Sequence, residues 1–189
     1  VLFRSQPLRD EEVFSLFETV TRHVSVPVCI YDNPGTTHFT FTDELHGRLT
    51  SLEKVHSVKI PGVPDSPTAA TERVSALRRH LRLGVAIGVS GDAYAGLGLN
   101  AGCEVWYSVC GGLFPLMAKQ ITEAAMAKDY ELVTTLTTRL EPLWALFRKY
   151  GGSIRVMSAA AGILGLTDMD CLPRPLQPLP AGAIADIAG

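Results

Sequence analysis

Two side chains suited to carbonyl chemistry end short apolar runs of the chain. Tyr31 closes the run Val26–Tyr31, and Lys59 lies near the end of Val55–Ile60. The C-terminal ends of adjacent parallel strands share one edge, so a phenol and an amine placed there are neighbours. A lysine between apolar walls is more often a free nucleophilic amine, and a tyrosine can shuttle protons. The pair suits Schiff-base chemistry. From spacing alone, the alternative to a catalytic pair is that Lys59 is a solvated lysine at a strand end and Tyr31 is a tyrosine of the core.

The elements that position this pair alternate between strand and helix. A helix is followed by four strand–helix pairs, which predicts an α/β fold with a parallel sheet and right-handed crossovers. The predicted strands are Val26–Tyr31, Val55–Ile60, Val85–Ser90 and Glu104–Val109. The predicted helices are Asp10–His23, Thr42–Ser51, Ser66–Leu83, Asp92–Ala101 and Phe114–Lys128.

Four parallel strands do not close a barrel, which needs about eight strands and roughly 250 residues. An open doubly wound sheet usually carries a glycine-rich loop after its first strand, whereas this chain has Asp32–Gly35 (DNPG) there. A truncated (β/α)8 TIM barrel over residues 1–128 is therefore the preferred fold. Residues 129–189 are predicted to form a C-terminal helical extension with helices at Tyr130–Tyr150 and Ser153–Leu164, followed by the extended, proline-dense segment Leu172–Pro180.

Composition excludes several classes of protein. The 189 residues are 47% hydrophobic and 19% charged, which is typical of a globular domain and not of a disordered chain. A formal net charge of −2 gives no basic field for nucleic acid. No apolar run is long enough to cross a membrane. The four cysteines form no CxxC pair and have no histidine at metal-ligand spacing, so we expect no metal, and a reducing cytoplasm.

The first residues are expected to be foreign to the gene. Val1–Ser5 (VLFRS) is what a common short-read sequencing adapter spells when it is translated. We therefore expect the reading frame to begin in adapter sequence or at an assembly boundary, and not at a natural start. Native sequence that joins Gln6 without a break in a related genome would support this hypothesis, and an intact upstream gene that encodes VLFRS would contradict it.

Five segments together resemble the dihydrodipicolinate synthase/N-acetylneuraminate lyase family, in the right order and over nearly the whole chain from Gln6. They resemble its strand-five tyrosine motif, its strand-six lysine motif, its serine-glycine-aspartate turn, its strand eight with the following loop, and its arginine-proline-leucine tail. The segments are Pro27–Gly35 (PVCIYDNPG), Val55–Gly62 (VHSVKIPG), Ser90–Asp92 (SGD), Gly102–Pro115 (GCEVWYSVCGGLFP) and Leu172–Leu179 (LPRPLQPL). The resemblance identifies the chain as strands five to eight of the barrel.

The resemblance implies a Schiff-base-forming (class I) lyase or aldolase. Lys59 would form an imine with pyruvate or another 2-keto acid, and Tyr31 would relay protons. The backbone carbonyl near Tyr107 would face the pocket. Ser90 and Gly91 would contribute to the anion-binding loops at the mouth of the barrel. No cofactor is implied, and the implied assembly is a homotetramer.

The chain departs from the family's pattern beside the pocket. An arginine that holds a substrate carboxylate in the synthase proper is here Thr36, and a hydroxyl cannot make the bidentate contact of a guanidinium. An asparagine of the loop after strand eight falls on Gly112. The family's loop for the keto-acid carboxylate and a second relay tyrosine match no residue of this chain. The second substrate is therefore left open.

Three alternatives stay beside the leading interpretation. A dehydratase of keto-sugar acids would use the same imine. A catalytically inactive fragment or homologue would bind only small anions or protein partners. Lys54 could be the reactive amine in a shifted register, although it precedes the strand rather than ending it.

Overall fold

The computed structural model describes residues 7–188, so the expectation about Val1–Ser5 lies outside the described residues. The chain forms two compact units, Val1–Tyr107 and Ser108–Gly189. The first unit holds one parallel sheet in the order β1-β2-β3-β4. Its strands are β1 (Val28–Tyr31), β2 (Val55–Ile60), β3 (Ala86–Ser90) and β4 (Val105–Tyr107).

Helices connect the strands and cover one face of this sheet. They are α1 (Asp10–His23), α2 (Pro34–Thr37), α3 (Asp43–Thr50), α4 (Pro67–His80) and α5 (Ala95–Asn100), with a 3-10 turn at Asp92–Tyr94 before α5. Alternate strand residues such as Ile30, Val58 and Ile87 are fully buried and belong to one hydrophobic cluster with the helices. Burial of such side chains is the main favourable term in holding the unit together.

Local signals in the sequence explain where two of these helices begin. The Thr42 hydroxyl accepts a hydrogen bond from the Leu45 amide at 3.1 Å, which caps α3. The Ser66 hydroxyl does the same for the Ala69 amide at 3.2 Å, and Pro67 follows as the first residue of α4. Each cap satisfies a backbone donor that the helix itself leaves free.

The second unit contains helices alone among its described residues. After a 3-10 turn at Cys110–Gly112 come α6 (Pro115–Met126), α7 (Tyr130–Thr138), α8 (Glu141–Lys149), α9 (Ser153–Ile163) and α10 (Ala181–Ala188). Leu172–Pro180 forms neither helix nor strand, as its prolines predict. No helix within residues 7–188 combines the length and apolar character needed to span a bilayer.

The predicted α/β fold, with four parallel strands and their helices, is confirmed. The predicted single helix Tyr130–Tyr150 is wrong, because α7 ends at Thr138 and α8 begins at Glu141. Pro142 lies in the first turn of α8, where its missing N–H breaks no hydrogen bond; inside one long helix it would break one. The helices α2 and α10 were not predicted. The predicted domain boundary after residue 128 stays a prediction.

Candidate active site

The ends of β1 and β2 bring Tyr31 and Lys59 together. The two residues are paired in register, and the Lys59 Nζ lies 4.0 Å from the centroid of the Tyr31 ring. The expected proximity of phenol and amine is therefore present. Their chemical roles stay predictions.

Both side chains lie on the sheet face that the helices do not cover. Ile30 and Val58 point into the helical layer and are fully buried, whereas Tyr31 is 51% exposed. Side chains alternate between the two faces of a strand, so Cys29 shares the open face with Tyr31, and Ser57 shares it with Lys59. In a closed barrel this face is the interior.

Tyr107 at the end of β4 completes an aromatic frame around the amine. Its ring centroid lies 5.3 Å from the Lys59 Nζ. Its hydroxyl donates a hydrogen bond to the Ser57 Oγ at 3.3 Å and lies 3.2 Å from the Cys29 Sγ. Burial, followed by the hydrogen bond with Cys29, raises the pKa of the Tyr107 phenol. A contact from β4 to β1 spans three strand spacings, about 14 Å in a flat sheet, which indicates that the open face is concave.

Ser90 and Gly91 form the turn at the end of β3. The Ser90 hydroxyl donates to the Ile60 carbonyl at 2.7 Å, which ties the ends of β3 and β2 together. Gly91 has a φ of 82°, in the region that favours glycine, and a Cβ there would lie 3.0 Å from the Tyr94 ring. The glycine permits the sharp turn into the following 3-10 helix.

Asp92 follows Gly91 in the same turn and connects it to β4. It is buried, and its Oδ1 accepts a hydrogen bond from the Trp106 Nε1 at 3.0 Å. Because Trp106 lies on β4 next to Tyr107, this bond links the β3 turn to the strand that carries the second phenol. Burial of the indole N–H with a partner avoids the cost of an unsatisfied donor.

Thr36 lies on the exposed side of the short helix α2. Its hydroxyl accepts a hydrogen bond from the Asn33 side-chain amide at 3.1 Å. The bond joins two residues of the loop that follows Tyr31, so Thr36 is near the mouth by its place in the chain. A contact between Thr36 and substrate stays a prediction.

The model of the family described as "Dihydrodipicolinate synthetase family" matches residues 6–184 of the chain. The chain belongs to the dihydrodipicolinate synthetase family. It is 32% identical over 184 residues to the 4-hydroxy-tetrahydrodipicolinate synthase of Parvibaculum lavamentivorans, covering 95% of this chain and 59% of that protein.

Solved structures agree with this membership. The crystal structure of dihydrodipicolinate synthase from Agrobacterium tumefaciens matches with a TM-score of 0.88 at 40% identity, covering 96% of this chain and 60% of that one. The dihydrodipicolinate synthase of Aquifex aeolicus has a TM-score of 0.82 at 17% identity, covering 95% and 59%, and shares the fold. This member of the family thus spans about three fifths of the length of these relatives. The predicted match to the C-terminal half of the barrel is confirmed.

A buried pair of ionisable groups, Asp32 and His46, lies beside the C-terminal end of β1. The Asp32 Oδ2 is 3.7 Å from the His46 Nε2, and the His46 side chain is fully buried. Burial raises the pKa of Asp32 to about 6 and lowers the pKa of His46 to about 4. Phe41 stacks on the imidazole with ring centroids 5.1 Å apart, which helps to exclude water.

Lys54 is placed away from the strand end. It lies in the turn before β2, and its carbonyl accepts a hydrogen bond from the Val28 amide at 2.7 Å, where β1 begins. Lys54 and Lys59 therefore lie near opposite ends of β2. The geometry supports Lys59 as the amine at the C-terminal edge. No three histidine, cysteine or carboxylate side chains within residues 7–188 are grouped to hold a metal ion.

Sequence reasoning missed the partners of the site. Cys29 and Ser57 each lie two residues before a predicted catalytic residue, so the two-residue period of a strand could have placed them on the same face. The Asp32–His46 contact carried no such signal, because it depends on which side chains approach from other elements.

Proposed function

We propose that the protein containing this chain is a Schiff-base-forming lyase that condenses pyruvate or another 2-keto acid with a second carbonyl compound, or cleaves the product. The observation that carries the proposal is the Lys59 amine 4.0 Å from the Tyr31 ring, at adjacent strand ends of a dihydrodipicolinate synthetase family chain. In a (β/α)8 barrel, this edge is where catalytic residues lie.

The chemistry follows from an amine beside a phenol. The neutral Lys59 amine attacks the keto carbon, and the resulting carbinolamine loses water to give an imine. Tyr31 shuttles the proton that the carbinolamine hydroxyl needs to leave as water. The protonated imine then accepts electrons from the neighbouring carbon, so that a carbon–carbon bond to that carbon can form or break. Hydrolysis returns the free amine of Lys59.

Other residues of the mouth bind the substrate in this proposal. The backbone carbonyl near Tyr107 faces the keto acid, and the turn at Ser90 and Gly91 contributes backbone amides for an anionic group. Thr36 offers a hydroxyl to the second substrate. Because a hydroxyl makes weaker contact with a carboxylate than a guanidinium does, the second substrate need not carry a carboxylate at this position.

We also propose that the whole protein is a cytoplasmic homotetramer that needs no cofactor. No disulfide joins any of the four cysteines, all of which lie within the described residues, in keeping with a reducing compartment. The assembly follows from the family resemblance. Light scattering of the purified protein measures it directly, and a monomer would contradict it.

The test is borohydride trapping with pyruvate, using the protein that carries the whole barrel. We expect a stable adduct that peptide mapping assigns to Lys59. The adduct should disappear in Lys59→Ala and persist in Lys54→Ala, the matched control in the turn that precedes the same strand. If the folded protein forms no adduct with pyruvate or with several other 2-keto acids, the non-catalytic homologue is the correct interpretation.

A dehydratase acting on a keto-sugar acid is the second candidate. Thr36 favours this candidate, because the threonine hydroxyl is better suited to binding a polyhydroxylated substrate than to binding a substrate carboxylate. Both candidates form the same imine at Lys59, so trapping does not separate them. The two candidates are separated by incubating the protein with keto-sugar acids and identifying the products by mass. Loss of water without carbon–carbon cleavage indicates the dehydratase.

A further inference from the structure

The Tyr107 side chain lies across β3. Its Cα pairs with Ser90, but its ring covers Gly88, two residues earlier on the same strand. A Cβ added at Gly88 would overlap the ring atoms Cε2 and Cδ2. Gly88 is buried, so the absence of a side chain there creates the space that the ring fills.

Two side chains hold the far end of this ring. The hydroxyl donates to the Ser57 Oγ at 3.3 Å and is 3.2 Å from the Cys29 Sγ. Burial raises the pKa of the phenol, so it stays protonated at neutral pH and remains a donor. With the hydroxyl anchored on β2 and β1, the ring cannot turn away from the strand that carries Lys59.

The Lys59 amine therefore lies between two aromatic rings. Its Nζ is 4.0 Å from the Tyr31 centroid and 5.3 Å from the Tyr107 centroid. Both distances are within about 6 Å, the range in which a ring face attracts a cation.

We propose that Tyr107 is a positioning residue for the Lys59 amine and that Gly88 is the position that admits it. This inference rests on the proposed Schiff-base function of Lys59. A four-carbon side chain with one neighbouring ring samples more rotamers, and ordering it has an entropic cost. The second ring reduces that cost by keeping the Nζ beside Tyr31, the proton relay.

The first experiment measures the rate of imine trapping at saturating pyruvate in the whole-barrel protein. Tyr107→Leu keeps an apolar side chain but removes the ring, and we expect the rate to fall about tenfold to a hundredfold. Tyr107→Phe keeps the ring and loses its anchors, so its rate should lie between those of Tyr107→Leu and the unchanged protein. The half-saturating pyruvate concentration should change little, because the substitutions alter the Tyr107 side chain, which orients the amine, and leave in place the backbone carbonyl that faces the keto acid.

A double-substitution cycle tests the role of Gly88. Gly88→Ala should slow trapping strongly when Tyr107 is present, because the added methyl group displaces the ring. In the Tyr107→Ala background, Gly88→Ala should cause a much smaller loss, because only the Val105 Cβ, 3.1 Å from the added methyl group, remains close. This non-additivity is expected for side chains in contact, and a general folding defect would not produce it. Circular dichroism melting curves of each variant provide the folding control.

The outcomes separate the two proposals. Equal trapping rates for the unchanged protein and Tyr107→Leu overturn the positioning role and leave the Schiff-base function standing. Additive effects of Gly88→Ala and Tyr107→Ala overturn it as well. An unchanged protein that forms no adduct overturns the Schiff-base function itself, and the role of Tyr107 with it.

Discussion

At the scale of single residues, Asp32 and His46 respond to burial in opposite ways. Burial raises the pKa of the Asp32 carboxyl to about 6 and lowers the pKa of the His46 imidazole to about 4. Between these values both groups are neutral, so their 3.7 Å contact is that of a carboxyl with an uncharged ring. Above pH 6 the carboxyl ionises while one of its buried oxygens, Oδ1, has no hydrogen-bond partner among the described residues.

The two groups contribute to stability with opposite signs. Because the pKa of Asp32 is raised in the folded protein, its contribution to stability is fully present below pH 3.8 and is lost as the pH rises through about 6. Because the folded pKa of His46 is lowered, its contribution is present above 6.5 and is lost as the pH falls through about 4. Between about pH 4 and pH 6, the stability lost at Asp32 as the pH rises is largely offset by the stability gained at His46.

Replacing Asp32 with asparagine should therefore stabilise the protein at neutral pH. We expect Asp32→Asn to raise the free energy of unfolding by about 1–3 kcal/mol at pH 7.5, because it removes a buried charge. The gain should vanish below pH 4, where the native carboxyl is protonated. Urea denaturation of both proteins from pH 4 to pH 8 measures the gain in stability and its loss at low pH.

Asp43→Asn is a comparison at a neighbouring carboxylate, whose charge also acts on Asp32 and His46. The Asp43 carboxylate is paired with both terminal nitrogens of Arg73, at 2.8 and 3.0 Å. Losing this bidentate pair should lower stability at pH 7.5. An Asp32→Asn variant that is also less stable at pH 7.5 would show that the Asp32 carboxylate has a stabilising partner.

At the scale of secondary-structure elements, a glycine sets how closely α3 and α4 approach. A Cβ added at Gly47 would lie 2.7 Å from the backbone carbonyl oxygen of His80, the last residue of α4. A backbone atom cannot rotate away as a flexible side chain can. The helices must therefore separate if this position carries a side chain.

Gly47→Ala should accordingly destabilise the protein by about 1–3 kcal/mol, in spite of the higher helix propensity of alanine. The control is Gly182→Ala in α10, where a Cβ meets nothing within 4 Å. That variant should be neutral or more stable by up to about 1 kcal/mol. Thermal unfolding compares the two, and a Gly47→Ala variant as stable as Gly182→Ala would contradict the close contact.

At the scale of the whole molecule, one face of the sheet in the first unit carries exposed side chains, among them Tyr31. The chain spans about 59–60% of the length of the matched proteins. The open face carries the Cys29 thiol, which is exposed, as is Cys171 in the second unit. Cys103 and Cys110 are buried, and burial raises the pKa of Cys103 to about 12.

Thiol labelling should report how this face is covered. In the chain as it stands, Cys29 and Cys171 should react with a maleimide well before the two buried cysteines, because reaction needs an accessible thiolate. In a protein with all eight strands, Cys29 lies inside the barrel and should react slowly, while Cys171 is unchanged. Peptide mass mapping gives the order, and rapid labelling of Cys29 in the whole barrel would mean that its face is not the barrel interior.

Local signals made much of the fold and part of the site predictable. The helix Asp10–His23 and the strand Val55–Ile60 have the predicted bounds, because apolar periodicity and neighbouring caps determine them locally. Tyr31 and Lys59 were placed together correctly because parallel strands end at one edge. The break between α7 and α8 was also visible in Pro142, but the apolar repeat on both sides obscured it.

What the sequence alone determined is the order of the four strands, the family, and which residues end adjacent strands, since each follows from short-range periodicity or recognisable motifs. The tertiary structure alone decided that Tyr107 reaches over Gly88 to Ser57 and Cys29, and that Asp32 meets His46 in a buried site. These contacts join residues far apart in the chain. They arise from the curvature of the sheet and from the helices that cover it, which long-range packing determines.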